Sequence, residues 1–184
     1  MKLVLLDRDG VLNEDRADFI KSPGELVLVP GAAAAVARLT GAGLRVAVCT
    51  NQSCVGRGII TADRLEVIHA HLRNLLAREG ARIDAFFVCP HAPWDNCECR
   101  KPSPGLLREA LRWFGADAAA TPMIGDALRD LRAAQAAGCP RHLVRTGHGG
   151  ATQADGVPHD VLPVAVHDDL AAAVSALLDK GAAS

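Results

Sequence analysis

The stretch Lys2-Leu3-Val4-Leu5-Leu6-Asp7-Arg8-Asp9-Gly10 decides how the rest of the chain is read. Its apolar run predicts a short strand that stops abruptly at two acids and a glycine, the mark of a strand end opening into a loop. The apolar core is far shorter than the ~7–15 residues of a secretory signal. No run elsewhere approaches the ~18 apolar residues that span a bilayer. The chain is expected to be cytoplasmic, with no membrane partner.

Working outward, the same pattern recurs. Pro30-Gly31 opens an Ala-rich helix to about Thr40, closed by Gly41 and Gly43, and Leu44–Cys49 reads as a second strand ending at Thr50-Asn51-Gln52-Ser53. Thr61 is placed to cap a helix whose Leu65, Ile68, Leu72, Leu75 and Leu76 follow the 3.6-residue period. Ile83–Val88 reads as a third strand running into a Pro- and Cys-rich loop. Ser103-Pro104 reads as a cap with Pro at the first helical position, turning Leu107, Leu111 and Phe114 inward. A brief strand Pro122–Ile124 precedes Gly125-Asp126 and an Ala-rich helix ended by Gly138. His142–Val144 and Val161–Val166 read as further strands, Leu170–Leu178 as a closing helix, and the Gly-rich stretch Thr146–His159 as the most mobile segment.

Strands separated by helices of this length imply parallel βαβ units. The expected fold is α/β: a Rossmann-like doubly wound parallel sheet in one domain, residues 1–184, without a separate cap domain. In such folds ligands bind beyond the carboxyl ends of the strands, so the residues after each strand matter most.

Composition agrees. A chain of 184 residues has the length of one domain, and 49% hydrophobic residues suffice for a sizeable core. Twenty basic residues against 21 acidic ones leave a net charge of −1 and exclude a general nucleic-acid binder, which needs a basic excess. Nothing demands an oligomer, and a monomer is expected. Six cysteines without a signal segment read as reduced thiols, some of them metal ligands.

Four strand ends carry chemistry. Asp7 and Asp9, two apart, project to one side of an extended chain. They are either a solvated loop with two acids or a nucleophile with a proton shuttle beside it. Thr50 offers a hydroxyl and Asn51 and Gln52 offer side-chain amides, although such residues also make ordinary turns. Lys101, just before the helix start at Ser103-Pro104, is either a surface lysine or a phosphate ligand at a helix N-terminus. Asp126 fits an N-cap and equally an oxygen ligand for Mg²⁺. Asp130 is open between a supporting acid and a plain surface acid. Taken together they make one reaction: Mg²⁺ held by Asp7 and Asp126 screens the phosphate, Asp7 attacks, Asp9 protonates the departing oxygen, and Thr50 and Lys101 hold the equatorial oxygens.

The segments Asp-Arg-Asp-Gly-Val-Leu-Asn (7–13), Thr-Asn-Gln-Ser (50–53), Cys-Arg-Lys-Pro (99–102) and Ile-Gly-Asp (124–126), in this order, resemble the haloacid-dehalogenase-like phosphatases. Within them they are similar to the branch acting on heptose bisphosphate and histidinol phosphate. The resemblance spans about residues 2–150. It implies Asp7 and Asp9 as catalytic residues, Mg²⁺ at Asp7, Asp9 and Asp126, and phosphate held by Thr50 and Lys101. It also implies substrate contacts at Asp15, Asn51, Gln52, Ser53 and Arg100, with loops 14–28 and 89–100 shaping the entrance.

Cys89-x-His91, five residues, then Cys97-x-Cys99 provides three thiolates and an imidazole, a closed tetrahedral shell for structural Zn²⁺. The same branch carries such a loop. The zinc would fix Arg100 and Lys101 beside the phosphate. Cys49, Cys54 and Cys139 read as buried small hydrophobes.

The expected substrate is a small sugar phosphate. Thr50–Gly58, Cys99–Lys101 and Val144–Gly147 resemble the heptose enzymes. That implies removal of the C7 phosphate of D-glycero-D-manno-heptose 1,7-bisphosphate in ADP- or GDP-heptose synthesis for lipopolysaccharide or another surface glycan. The short zinc loop and Ala127, where heptose enzymes often carry Lys, leave histidinol phosphate as the alternative and the anomer open. A catalytically silent, zinc-stapled binding protein is the alternative from another class.

Overall fold

The computed structural model describes residues 2–182, with side chains to residue 179. Its elements are β1 (Leu3–Leu6), α1 (Ala32–Gly41), β2 (Arg45–Asn51), α2 (Ser53–Gly56), α3 (Ala62–Ala77), β3 (Ala85–Cys89) and α4 (Gly105–Phe114), followed by β4 (Met123–Gly125), α5 (Leu128–Ala137), β5 (Arg141–Val144), α6 (Gly149–Ala154), β6 (Ala165–His167) and α7 (Leu170–Ala182). The six strands form one sheet in the order β3-β2-β1-β4-β5-β6. Every pairing is parallel. This is the doubly wound, Rossmann-like arrangement, and the chain reverses direction across the sheet between β1 and β4. Among the described residues no second sheet or cap domain is present.

The two-residue period of a strand explains how one sheet serves two cores. In β1, Val4 and Leu6 enter a core with α1, α3 and α7, whereas Leu3 and Leu5 enter a second core with α4 and α5. β2 does the same with Val46 and Val48 against Ala47 and Cys49. All four β1 residues are at most 1% exposed. A strand buried on both faces must be uniformly apolar, which is why Leu3–Leu6 shows no alternation.

Most of the α3 stripe packs as its spacing predicts: Leu65, Ile68, Leu72 and Leu76 are buried, Leu75 is only partly buried at the edge of the same core, and Thr61 Oγ1 accepts from Arg64 N at 3.1 Å. Four local readings differ. Helix α4 is capped at Pro104, and Ser103 makes no side-chain cap. The last strand is shorter and later than Val161–Val166, because Val161 closes a 3₁₀ turn at His159–Val161 and packs under Leu131 and Leu143. The stretch Thr146–His159 is not a loose loop: it contains α6 and is tied to the first loop through Thr146 Oγ1, which donates to the Gly10 carbonyl at 2.6 Å. The brief helix α2 carries no periodic signal in so few residues. No helix is long and apolar enough to cross a membrane among the described residues.

Candidate active site

Parallel pairing brings the strand ends together. Leu6 pairs with Val48 on one side and Ile124 on the other, so the residues after β1, β2 and β4 emerge side by side. Asp7, Asp126 and Asp130 place carboxylate oxygens within 4.8 Å of one another, all buried. Lys101 Nζ lies 2.9 Å from Asp7 Oδ1 and 2.7 Å from Asp130 Oδ1. These are ion pairs by distance without hydrogen-bond alignment, since Lys101 Nζ and Asp130 Oδ1 have no hydrogen-bond partner.

Three buried carboxylates against one ammonium are electrostatically unbalanced. Burial, then the Asp130 charge, pushes Asp7 up to about 8 against the pull of Lys101. The same two causes raise Asp126 to about 6. Burial alone would raise Asp130 and lower Lys101, but their mutual attraction outweighs it, holding Asp130 low and Lys101 high. Asp130 is therefore no surface acid. It also accepts from Ala127 N at 3.0 Å at the start of α5.

The Asp126 carboxylate is seated by backbone. Its Oδ2 accepts from His148 N at 2.8 Å, while its Oδ1 is buried with no hydrogen-bond partner. Two glycines make the space. A Cβ on Gly10 or on Gly147 would stand 2.0 or 2.2 Å from Asp126 Oδ2, and both have positive φ (80° and 56°).

Asp9 faces a different set of partners. Its Oδ1 accepts from Arg8 Nε at 3.0 Å, Arg8 Nη2 at 2.6 Å and Asn13 Nδ2 at 2.8 Å; its Oδ2 accepts from Gln52 Nε2 at 2.7 Å. Burial would raise this carboxyl, but Arg8, Asn13 and Gln52 outweigh it and hold it below the usual range. The Asp9 carboxylate lies outside the group formed by Asp7, Asp126 and Asp130.

Thr50 is 1% exposed and accepts from the same Gln52 amide at 2.8 Å. Asn51 binds both ends of the Lys101 backbone amide pair: its Nδ2 donates to Lys101 O and its Oδ1 accepts from Lys101 N, each at 3.0 Å. A cavity of about 240 Å³ opens beside Asn51 and Gln52, whereas Thr50, Lys101, Asp126 and Asp130 are not among its lining residues. Asp7, Asp9, Asp15, Asn51, Gln52, Ser53 and Arg100 all line it. Loop 14–28 contributes Phe19 and Ile20 as well, whereas only Arg100 comes from the end of the cysteine loop. Arg8, Arg16, Arg129 and His148 line the cavity too and had escaped the sequence reading. His148 Nε2 lies 2.7 Å from Asp15 Oδ2, and both residues line the cavity. Of these, only Arg8, wedged between the two acids, carried a signal in the sequence.

The cysteine loop closes on itself. Cys99 Sγ lies 3.2 Å from Cys89 Sγ, 3.5 Å from Cys97 Sγ and 3.2 Å from His91 Nδ1, and Cys89 lies 3.6 Å from Cys97 and 3.7 Å from His91. Ligand bonds of about 2.0–2.3 Å at a tetrahedral Zn²⁺ require donors roughly 3.5–3.8 Å apart, so the four atoms lie close to the corners such an ion needs. Cys49, Cys54 and Cys139 are buried.

A model of the HAD-hydrolase-like family matches residues 98–173. The D-glycero-β-D-manno-heptose-1,7-bisphosphate 7-phosphatase of Bordetella bronchiseptica is 46% identical over 98% of this chain and 99% of its own. The chain belongs to the heptose-bisphosphate phosphatase family of the HAD-like hydrolases. Family members differ in anomer: an α-anomer 7-phosphatase of Mycobacterium tuberculosis is 40% identical over 71% of this chain and 70% of its own. The Bordetella family member, solved with magnesium and phosphate, superposes with a TM-score of 0.93 across 98% of this chain and 99% of that one.

Proposed function

We propose that this chain is a Mg²⁺-dependent phosphatase that removes the C7 phosphate of D-glycero-β-D-manno-heptose 1,7-bisphosphate through an aspartyl-phosphate on Asp7. The observation that carries the reading is the buried Asp7–Asp126–Asp130 group with Lys101 against it, at the mouth of a sheet matching a family member throughout its length. The reaction serves the making of nucleotide-activated heptose for a surface glycan, in one domain acting as a cytoplasmic monomer.

The residues fit a divalent cation. Asp126 Oδ1 is a buried acceptor without a donor, and Asp7 and Asp126 hold protons too tightly for carboxylates unless a cation replaces them. Mg²⁺ held there supplies charge compensation, letting an anionic carboxylate approach an anionic phosphorus. Lys101 and Thr50 line the same strand ends and hold the equatorial phosphate oxygens. Asp7 attacks phosphorus and the ester P–O bond breaks. The incoming phosphate places negative charge beside Asp9, raising its proton affinity, so Asp9 arrives protonated and gives that proton to the departing sugar oxygen. Asp9 then removes a proton from the water that hydrolyses the aspartyl-phosphate. Asn51 acts through Lys101, and Gln52 through Asp9 and Thr50. Arg100, with Asp15 and Ser53, orients the sugar.

We read Cys89, His91, Cys97 and Cys99 as a structural Zn²⁺ site, a closed shell with no position left for substrate. The substrate choice is supported by Arg16, Arg100 and Arg129 around the cavity, cations suited to a second phosphate and ill-suited to the amine of histidinol phosphate. The test is a comparison of kcat/KM on the α and β heptose bisphosphates and on histidinol phosphate. The β-bisphosphate is expected to lead, and preference for histidinol phosphate would overturn the substrate.

A further inference from the structure

We infer that Arg8 and His69 form a buried positioning pair that fixes the orientation of the Asp9 carboxylate, with Oδ1 held by Arg8 and Oδ2 left to Gln52. This rests on the phosphatase reading above.

Arginine is almost never fully buried unless paired, yet Arg8 is 2% exposed and among the largest fully buried side chains. Two of its nitrogens, Nε and Nη2, converge on Asp9 Oδ1. The third, Nη1, lies 3.4 Å from His69 Nε2. Arginine has donors only, so the imidazole must accept there and carry its own proton on Nδ1, which faces Glu66 Oε1 at 3.7 Å. His69 is 0% exposed and stacked on Phe86, with ring centroids 4.4 Å apart and planes 21° from parallel, so the ring has no room to swing. Burial, with the charges of Arg8 and Arg73, pulls its pKa down to about 3, in keeping with a neutral acceptor. Phe86 in turn carries the Arg73 guanidinium at 4.5 Å on its face.

The consequence lies at Asp9. A carboxylate oxygen has two lone pairs, and Oδ1 already receives three donors, Arg8 Nε, Arg8 Nη2 and Asn13 Nδ2. Oδ2 receives only Gln52 Nε2 and keeps one lone pair free. Helix α3, far from the chemistry in sequence, thereby sets the rotation of the proton donor. The Arg8 and His69 side chains act through Asp9, while the Arg8 backbone N–H donates separately to Asp7 Oδ1 at 2.7 Å.

The test exploits leaving-group acidity. A sugar alkoxide needs the Asp9 proton, whereas p-nitrophenolate leaves without it, and kcat/KM reports the steps up to departure of that group. His69→Leu should lower kcat/KM on an alkyl phosphate ester by about 10- to 100-fold, part of the range of acid–base assistance, and by less than about threefold on p-nitrophenyl phosphate. His69→Gln, which restores an acceptor, should recover most of the loss. Equal losses on both esters, no loss on either, or a Gln variant no better than Leu would overturn the pairing. Should His69→Leu not fold, Arg8→Met removes the whole Arg8 side-chain link between His69 and Asp9 Oδ1, and an equal loss on both esters there overturns the pairing too. A wild-type protein inactive on both esters overturns the phosphatase reading and the pairing together; an active one with equal losses overturns the pairing alone.

Discussion

The Asn51 side chain clamps the Lys101 backbone from both sides, donating to its carbonyl and accepting from its N–H at 3.0 Å each. The clamp joins the end of β2 to the residue whose ammonium sits between Asp7 and Asp130. Lys101 precedes a cis peptide bond to Pro102 and follows the cysteine loop. Asn51→Ala should lower kcat/KM on any phosphate ester by roughly 30-fold, the cost of two lost hydrogen bonds at about 1 kcal/mol each. Asn51→Asp should be worse, since it replaces the donor with an oxygen and adds a fourth acid. Steady-state kinetics on folded variants checks both, and an Asn51→Ala enzyme of wild-type activity would count against the clamp.

Asp7→Asn should abolish turnover, because an amide forms no acyl phosphate. The same change should leave the melting temperature in EDTA at pH 8 equal to or above that of wild type. Burial and Asp130 raise Asp7 to about 8, so the fold already disfavours its charge and a neutral isostere removes that penalty. Thermal melts beside an activity assay decide it; a strongly destabilised Asp7→Asn protein contradicts the electrostatic account.

Stabilisation by Mg²⁺ should grow with pH. Asp7 and Asp126, raised to about 8 and about 6, hold protons that the fold favours, so their contribution to the metal-free protein is full below about pH 4 and is lost as pH rises through 6 to 8. Asp9 and Asp130, both lowered, are ionised throughout that window. Mg²⁺ competes with the protons on Asp7 and Asp126, and the gain in melting temperature on adding it should be larger at pH 8 than at pH 6. Taking the difference with and without metal cancels groups such as His69 that titrate elsewhere. A gain independent of pH would show that these two carboxylates are not displaced by the ion.

Gly147→Ala should weaken Mg²⁺ binding more than it alters the fold. The added Cβ would stand 2.2 Å from Asp126 Oδ2 and 2.5 Å from Gly10 Cα, at a positive φ that side chains rarely adopt. The 146–148 loop must then move away from Asp126. The expected result is a higher Mg²⁺ concentration at half-maximal activity, read from a metal titration; an unchanged midpoint would sink the idea.

Protein purified without chelator should contain one tightly held Zn²⁺ per chain, and Cys97→Ser should lose it. Arg57, whose guanidinium packs 4.9 Å from the Trp94 ring in that loop, should lose this contact along with the ordered entrance. Elemental analysis and tryptophan fluorescence report the two effects. Zinc-free wild-type protein with a normal melting temperature would remove the metal from the account.

What the sequence determined by itself was whatever depends on period, spacing or a local break. The uniformly apolar Leu3–Leu6, the alternation of short strands with 3.6-period helices, and the Cys-x-His and Cys-x-Cys pairs act over a few residues, and the sheet and the cysteine cluster followed from them. His69 stands outside the predicted α3 stripe, and only the folded chain shows it buried beside Arg8. Asp130 was open between two roles because an acid one turn into a helix looks the same whether it meets water or Lys101. Asn51 read as a turn or substrate residue, and only the folded chain shows its amide spent on Lys101. Val161 read as strand, and a 3₁₀ turn packed under Leu143 claimed it. In each case the deciding partner lies on another element. Local sequence sets which residues face the strand ends, and only tertiary packing decides which charge a buried group meets there. In a low-dielectric interior that meeting sets both its protonation and its role.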